Sequence, residues 1–193
     1  MPILTIDGNI GAGKTSVLTY LHTNYNINVD LEPIDKWKPY LDKIYIDNQN
    51  FFKFQLRVWL DRSWIQEKKD SSLVIMERSP YFIRNTFNKY LYENDLINVN
   101  ENTIINELYD KTDIIWKPNY FIYLRSSPEK CLEMIYKRGR ENEMNINLKY
   151  LREIHELHEK SFEELEEKKI MIDVDDKTIE EIGKEIYDFI HKL

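Results

Sequence analysis

Cysteine is almost absent from this chain: Cys131 stands alone in 193 residues, which rules out an internal disulfide and suits a reducing compartment. Glycine and proline are sparse, five and six residues, and nowhere gather into a linker. Basic residues are outnumbered, 27 Lys and Arg against 34 Asp and Glu. The resulting net charge of −7 weighs against a general grip on nucleic-acid phosphates, although a local cluster of Lys and Arg could still hold a small anion. No apolar run approaches the length that spans a bilayer. The first strand is expected from residue 3 and a phosphate loop from residue 8, leaving no room for a leader, so the expected location is cytoplasmic, with no nucleic-acid or membrane partner. What is present, 42% apolar and 32% charged residues, is a globular balance with enough apolar side chain for one full core.

Short apolar runs at residues 3–6, 28–31, 73–76, 120–124 and 170–174 alternate with helix-period segments near 14–25, 50–68, 80–93, 102–115, 128–138, 147–166 and 177–191. Continuous apolar strands separated by helices predict a parallel sheet covered on both faces. With no internal repeat or low-complexity tract, residues 1–193 read as a single α/β domain. Pro39, Pro80 and Pro118 read as turn or helix-entry punctuation. The Glu- and Lys-rich stretch 155–168 reads as a solvated helix face. His155 and His158 share a face of that helix, but no further His or Cys lies nearby to complete a zinc site.

Gly8, Asn9, Ile10, Gly11, Ala12, Gly13, Lys14 and Thr15 match G-x-x-x-x-G-K-[ST], directly after a strand and, with Ser16, opening a helix. Such a loop aims successive backbone N–H groups into one concavity at a helix N-terminus, where phosphate binds. Lys14 would reach the β- and γ-phosphates and Thr15 would ligate Mg²⁺. The second strand ends in Glu32-Pro33, which sets a carboxylate at the ligand edge of the sheet, able to take a proton from an attacking hydroxyl. Trp37 either walls an acceptor site or packs in the core. The third strand ends in Glu77-Arg78-Ser79: Glu77 is the acidic partner of Thr15 at the metal, and Arg78 a clamp for phosphate or the acceptor oxygen.

Phe51, Gln55, Val58, Arg62 and Ile65 form one stripe of the 50–68 helix, and Phe54 and other large apolar residues cover its remaining sides. That helix should be buried by the core and by a second subunit, and a nucleobase edge would satisfy Gln55 and Arg62. Lys137, Arg138, Gly139 and Arg140 end a helix with clustered cations, as a mobile lid over residues 137–146 would.

Gly8–Thr15, Glu32-Pro33 with Trp37, Gln55, Glu77-Arg78-Ser79 and the Arg138–Glu143 segment together resemble the deoxyribonucleoside kinase family. The resemblance implies a P-loop α/β/α sandwich with a five-stranded parallel sheet, usually a homodimer, using ATP and Mg²⁺ to phosphorylate the 5′-hydroxyl of a deoxyribonucleoside. It implies Glu32 as general base, Arg78 near the 5′-oxygen and Gln55 as reader of the base, enclosed by Trp37 and Phe87. Tyr45 and Glu143 fall where the family binds the sugar 3′-hydroxyl, Arg138 and Arg140 are its lid arginines, and the segment holding Asp173 and Asp175 lies at the adenine of ATP. Three positions depart from the pattern. Met134 replaces a lid arginine. Ile83 stands where the cytidine and guanosine enzymes carry Asp, yet Arg62, their usual partner to it, is present. The expectation is therefore that Arg62 reaches the far edge of the base cavity and is satisfied there by the base, unless Asp61 or water serves. Two rival readings are a thymidylate kinase-like monophosphate kinase and a non-catalytic ATP-binding module. The first would have Arg where this chain has Leu31 and Asp-Arg-Tyr where it has Glu77-Arg78-Ser79; the second would lack a base such as Glu32.

Overall fold

A computed structural model of the chain describes residues 3–47, 49–63, 73–115 and 117–193, leaving aside the side chains of 45–47, 114, 115 and 142. Five strands form one all-parallel sheet: β1 (Ile3–Asp7), β2 (Asn28–Asp30), β3 (Val74–Glu77), β4 (Tyr120–Arg125) and β5 (Lys169–Asp173), in the order β2-β3-β1-β4-β5. The helices are α1 (Lys14–Tyr25), α2 (Ile34–Asp47), α3 (Phe51–Arg62), α4 (Pro80–Phe82), α5 (Lys89–Glu93), α6 (Val99–Ile115), α7 (Pro128–Arg138), α8 (Leu148–Glu164) and α9 (Ile179–Ile190). Between α4 and α5 the chain runs as a π-helix, Ile83–Asn88, and after α7 as a short 3₁₀ turn, Glu141–Glu143.

Alternation along the strands sends successive side chains to opposite faces. Leu4, Ile6, Ile75, Ile122, Leu124 and Ile172 pack on one face with Val17, Leu18 and Leu21 of α1 and Ile182 and Ile186 of α9. The two helices lie so close that a Cβ at Gly183 would sit 2.6 Å from the Tyr20 ring. Phe121 and Tyr123 point the other way, toward Phe82 and α8. A third cluster, built on Trp37, Leu41, Val58, Ile83, Ile105 and Tyr109, lies where α2, α3 and α6 meet the π-helix. The layered α/β architecture expected from the strand spacing is thus the one observed.

Two local expectations are corrected. Residues 34–47 form a helix that periodicity did not signal, and Pro39 lies inside it rather than at an entry. Pro39 is on the exposed side, so the Asp35 carbonyl it leaves without a helical donor can turn to water while Trp37 and Leu41 bury the other face. The helix expected over 50–68 runs to Arg62, and its continuation with Trp64 and Ile65 lies outside the described residues. Pro80 does stand at a helix entry, behind Ser79, whose Oγ accepts from the Phe82 amide.

Candidate active site

The carboxyl ends of β1, β2 and β3 converge on one cavity of about 570 Å³. Its polar end is the phosphate loop, where Ile10, Gly11, Gly13, Lys14, Thr15 and Ser16 form the wall. Gly11 (φ 88°) and Gly13 (φ 86°) take the left-handed backbone that the loop needs. At Gly11 a Cβ would also lie 2.4 Å from the Cys131 carbonyl oxygen, so α7 closes directly onto the loop. Gly8, Asn9 and Ala12 shape the loop from behind: Asn9 donates from Nδ2 to the Leu151 carbonyl at 2.8 Å, and Ala12 packs with Cys131 and Ile135. Lys14 is curled back, its ammonium donating to the Gly8 (3.1 Å) and Asn9 (2.9 Å) carbonyls. Burial, and then the charge of Arg78, bring its pKa down to about 8.

Beside Lys14 lie two carboxylates with different environments. Thr15 donates from Oγ1 to Glu77 Oε1 at 2.7 Å, and the Glu32 amide donates to Glu77 Oε2 at 3.3 Å. Arg78 donates from Nε to Glu32 Oε1 at 2.5 Å and its guanidinium lies 4.5 Å over the Phe87 ring. Burial works to raise both acids, but the outcomes diverge. At Glu32 the Arg78 and Lys14 charges outweigh burial and hold the pKa below the usual carboxylate value; at Glu77 the negative Glu32 adds to burial and the pKa is raised.

Arg78 has φ 67°, a left-handed backbone that is uncommon for a branched-off cationic side chain and is held from both sides. Its amide continues the ladder to the Ile6 carbonyl (2.9 Å), and the next amide, Ser79, donates to Asp7 Oδ1 at 2.8 Å. Asp7 is a functional-site neighbour that the motif reading passed over. Its signal in the sequence is an acid ending a wholly buried strand directly before the phosphate loop. Burial raises its pKa to about 6.

The apolar end of the cavity is lined by Trp37, Phe54, Gln55, Val58, Ile83 and Phe87, with Ile34, Leu41, Tyr90 and Ile146 beyond them. Gln55 is 3% exposed, and its Oε1 has no partner among the described residues. Trp37 is both wall and core: it is buried, edge-on to Phe54, and donates from Nε1 to Asp61 at 2.8 Å. Arg138, Arg140 and Glu143 line the rim, and both arginines donate to Glu143, at 2.5 and 3.1 Å.

Arg62, Asp173 and Asp175 do not line the cavity. Arg62 is absent from its walls; the guanidinium pairs with Asp30 and donates to the Leu31 carbonyl at 3.1 Å. The expectation that a bound base satisfies Arg62 is therefore corrected, and Asp61, the alternative partner, is taken by Arg57 and Trp37. Asp173 pairs with Arg125 at 3.5 Å, and Asp175 accepts from Ser126 Oγ (2.6 Å) and the Ser127 amide (3.1 Å), so neither lines the cavity. Tyr45 is on α2, but its side chain lies outside the described residues. His158 is stacked on Phe82 and Tyr123, and among the described residues there is no group of three or more His, Cys, Asp or Glu that could hold a metal.

A phosphate loop, a carboxylate paired to an arginine, and a largely apolar cavity with two arginines at its rim fit a phosphotransferase of small acceptors. The deoxynucleoside kinase family model matches residues 4–193. Among relatives, "Probable deoxycytidine kinase FPV151" of Fowlpox virus is 31% identical over 212 residues, covering 98% of this chain and 88% of that one. Deoxycytidine kinase of Bos taurus is 32% identical over 195 residues, with 81% and 73% covered. Mitochondrial thymidine kinase 2 of Homo sapiens is 29% identical over 169 residues, with 81% and 63% covered. The chain belongs to the deoxynucleoside kinase family, and is an enzyme that phosphorylates deoxynucleosides with ATP as donor.

Proposed function

We propose that the enzyme transfers the γ-phosphoryl group of ATP to the 5′-hydroxyl of a deoxyribonucleoside, with Glu32 as general base. The observation that carries this reading is the Glu32–Arg78 pair, 2.5 Å apart, set between the phosphate loop and the Gln55 cavity. Arg78 keeps Glu32 ionised and so ready to accept the hydroxyl proton, and the same guanidinium can then hold the 5′-oxygen. Gln55, with a buried and unpartnered carbonyl oxygen, offers donor and acceptor to a base edge between Trp37 and Phe87. Lys14 is free to exchange two backbone carbonyls for phosphate oxygens, and Arg138 and Arg140 close over the transferring group. The Thr15 hydroxyl and Glu77 carboxylate, 2.7 Å apart, are a hard-oxygen set that fits Mg²⁺, which when bound would neutralise charge on the donor phosphates. Glu143, buried at the rim, would accept from the sugar 3′-hydroxyl.

The chain reads as one domain, acting as a homodimer paired through α3, where Leu60 is 48% exposed and Phe52 and Leu56 are half-buried. A cytoplasmic location fits the lone, buried Cys131. No described helix is long and apolar enough to cross a membrane, and the net charge of −7 supports no nucleic-acid partner. The four deoxynucleosides and their monophosphates, each assayed with ATP and Mg²⁺, test the reading. Formation of 5′-monophosphate from at least one nucleoside is expected; turnover confined to monophosphates would overturn it.

A further inference from the structure

Arg62 is among the largest fully buried side chains of the described residues, 2% exposed, and a buried cation must be accounted for by what surrounds it. Its Nη2 pairs with Asp30, the last residue of β2. Its Nη1 donates to two carbonyls, Leu31 at 3.1 Å and Glu77 at 3.4 Å. Those carbonyls belong to particular peptide units. The Leu31 carbonyl is in the peptide that carries the Glu32 amide, and the Glu77 carbonyl is in the peptide that carries the Arg78 amide. One guanidinium thus staples together the two peptides from which the Glu32–Arg78 pair springs. Its Nε has no partner among the described residues, so the stapling rests on the two terminal nitrogens.

We propose that Arg62 is a positioning residue for Glu32 and Arg78, acting from behind the pair, and that it does not read the nucleobase. The inference rests on the reading of Glu32 as the general base. Three features support it. β2 is only three residues long and half-buried throughout, so besides the long Glu32 amide bond to Glu77 its exit has little to fix the peptide before Glu32. Asp30, 44% exposed at its side chain, is not among the cavity walls, so the ion pair ties the guanidinium to a residue outside them. The wall beside Gln55 that a base-reading cation would occupy is supplied instead by Val58 and Ile83, 4% and 1% exposed. Positional precision matters here because displacing a reacting group by about 1 Å can cost about 10²-fold in rate. The positive charge of Arg62 also favours the ionised form of Glu32, after the larger contributions of Arg78 and Lys14.

A positioning role and a base-reading role predict opposite kinetic patterns. Arg62→Met and Asp30→Asn should each be assayed with thymidine and deoxycytidine, alone and in a Glu32→Gln background. Tm and ATP-binding stoichiometry report the folded fraction, and Asp30→Asn, at a half-exposed position, keeps the test open should Arg62→Met not fold. Positioning predicts that kcat falls about tenfold or more for Arg62→Met with either nucleoside, while their kcat/KM ratio stays within about threefold. It also predicts that the loss shrinks below about threefold in the Glu32→Gln background, because groups acting as a unit are not additive. A merely structural contribution would subtract equally in both backgrounds and would overturn the inference. A ratio shifted by about tenfold with kcat retained would overturn it in favour of base reading, and unchanged kinetics in both variants would overturn it outright. A wild-type enzyme that phosphorylates no deoxynucleoside would instead sink the reading of the site, and this inference with it.

Discussion

Arg78 meets Glu32 at 2.5 Å inside a site that shields both, so the carboxylate is charged before any acceptor arrives. A base that is already ionised lowers the barrier by taking the hydroxyl proton as the phosphoryl bond forms, an effect of about 10²–10⁴-fold. Glu32→Gln keeps the shape and the hydrogen bond to Arg78 but cannot take the proton. Its kcat should fall by about two orders of magnitude or more. ATP binding, measured by calorimetry, should persist, because the phosphate loop does not use the Glu32 carboxylate as a ligand.

The same pair fixes the direction of a pH effect. Burial alone would raise the pKa of Glu32, and the Arg78 charge is the first of the influences that bring it below the usual value. In the wild-type enzyme the acid limb of kcat/KM for the nucleoside should therefore lie below the ordinary carboxylate range. Arg78→Gln removes the cation and leaves burial to dominate, so the limb should move to higher pH. A profile that loses amplitude without moving would show that Arg78 does not set the ionisation of Glu32.

Much of this was legible in the sequence, for physical reasons that also mark where legibility ended. The central strands β1, β3 and β4 are buried, mostly apolar runs, so they and their flanking helices could be placed within a few residues, and the edge strands followed from the alternation of elements. The phosphate loop, Glu32 and Glu77-Arg78 were readable because each motif sits at a strand exit. The α2 helix was not, since Pro39 reads as a break unless the exposure of that face is known. The partners of Arg62 were not, since Asp30 is 32 residues away in sequence and on another element. The π-helix over Ile83–Asn88 has no local signature, yet both Ile83 and Phe87 in it face the cavity.

Glu143 holds Arg138 and Arg140 at once and is 6% exposed. A carboxylate positioned for the 3′-hydroxyl makes a charge-assisted hydrogen bond, worth about 1.5–3 kcal/mol. With the wild type, a 3′-deoxy analogue should therefore lose about 10- to 100-fold in kcat/KM relative to its parent nucleoside. With Glu143→Ala that discrimination should collapse to within a few fold (roughly threefold) because the group that recognises the hydroxyl is gone. Equal discrimination in both enzymes would assign Glu143 to the lid arginines alone.

The exposed Leu60 of α3, with Phe52 and Leu56 half-buried on the same helix, predicts self-association. A specific dimer buries at least ~1,000 Å², and Leu60 lies on the outward side of the helix. Sedimentation at micromolar concentration should give about twice the 23.5 kDa chain mass, and Leu60→Asp should shift the population toward monomer. A wild-type monomer at that concentration would remove α3 as an interface.

His158 carries the last prediction, one of stability and not of catalysis. Its ring is wholly buried, nearly parallel to Tyr123 (7°) and Phe82 (19°), with Phe87 edge-on. Nδ1 lies 2.8 Å from the Ile154 carbonyl, which assigns the proton to that nitrogen, while Nε2 has no partner among the described residues. Burial first, and then the charge of Arg78, push the pKa well below that of a free imidazole. The unfolded chain takes up a proton near pH 6.5 that the folded one refuses, so this group's contribution to stability is lost as pH falls below that point. The loss approaches about 1.4 kcal/mol per pH unit between the unfolded and folded pKa values. Asp7 and Glu77, whose folded pKa values are raised, act in the opposite sense, so the measurement must be a difference. His158→Phe keeps the stacked ring and removes the titration. The gap in unfolding free energy between variant and wild type should shift in favour of the variant as pH is lowered from 7 to 5. Denaturant melts at several pH values check it, and a gap that does not change with pH would show that His158 takes up its proton within the fold as readily as in the unfolded chain.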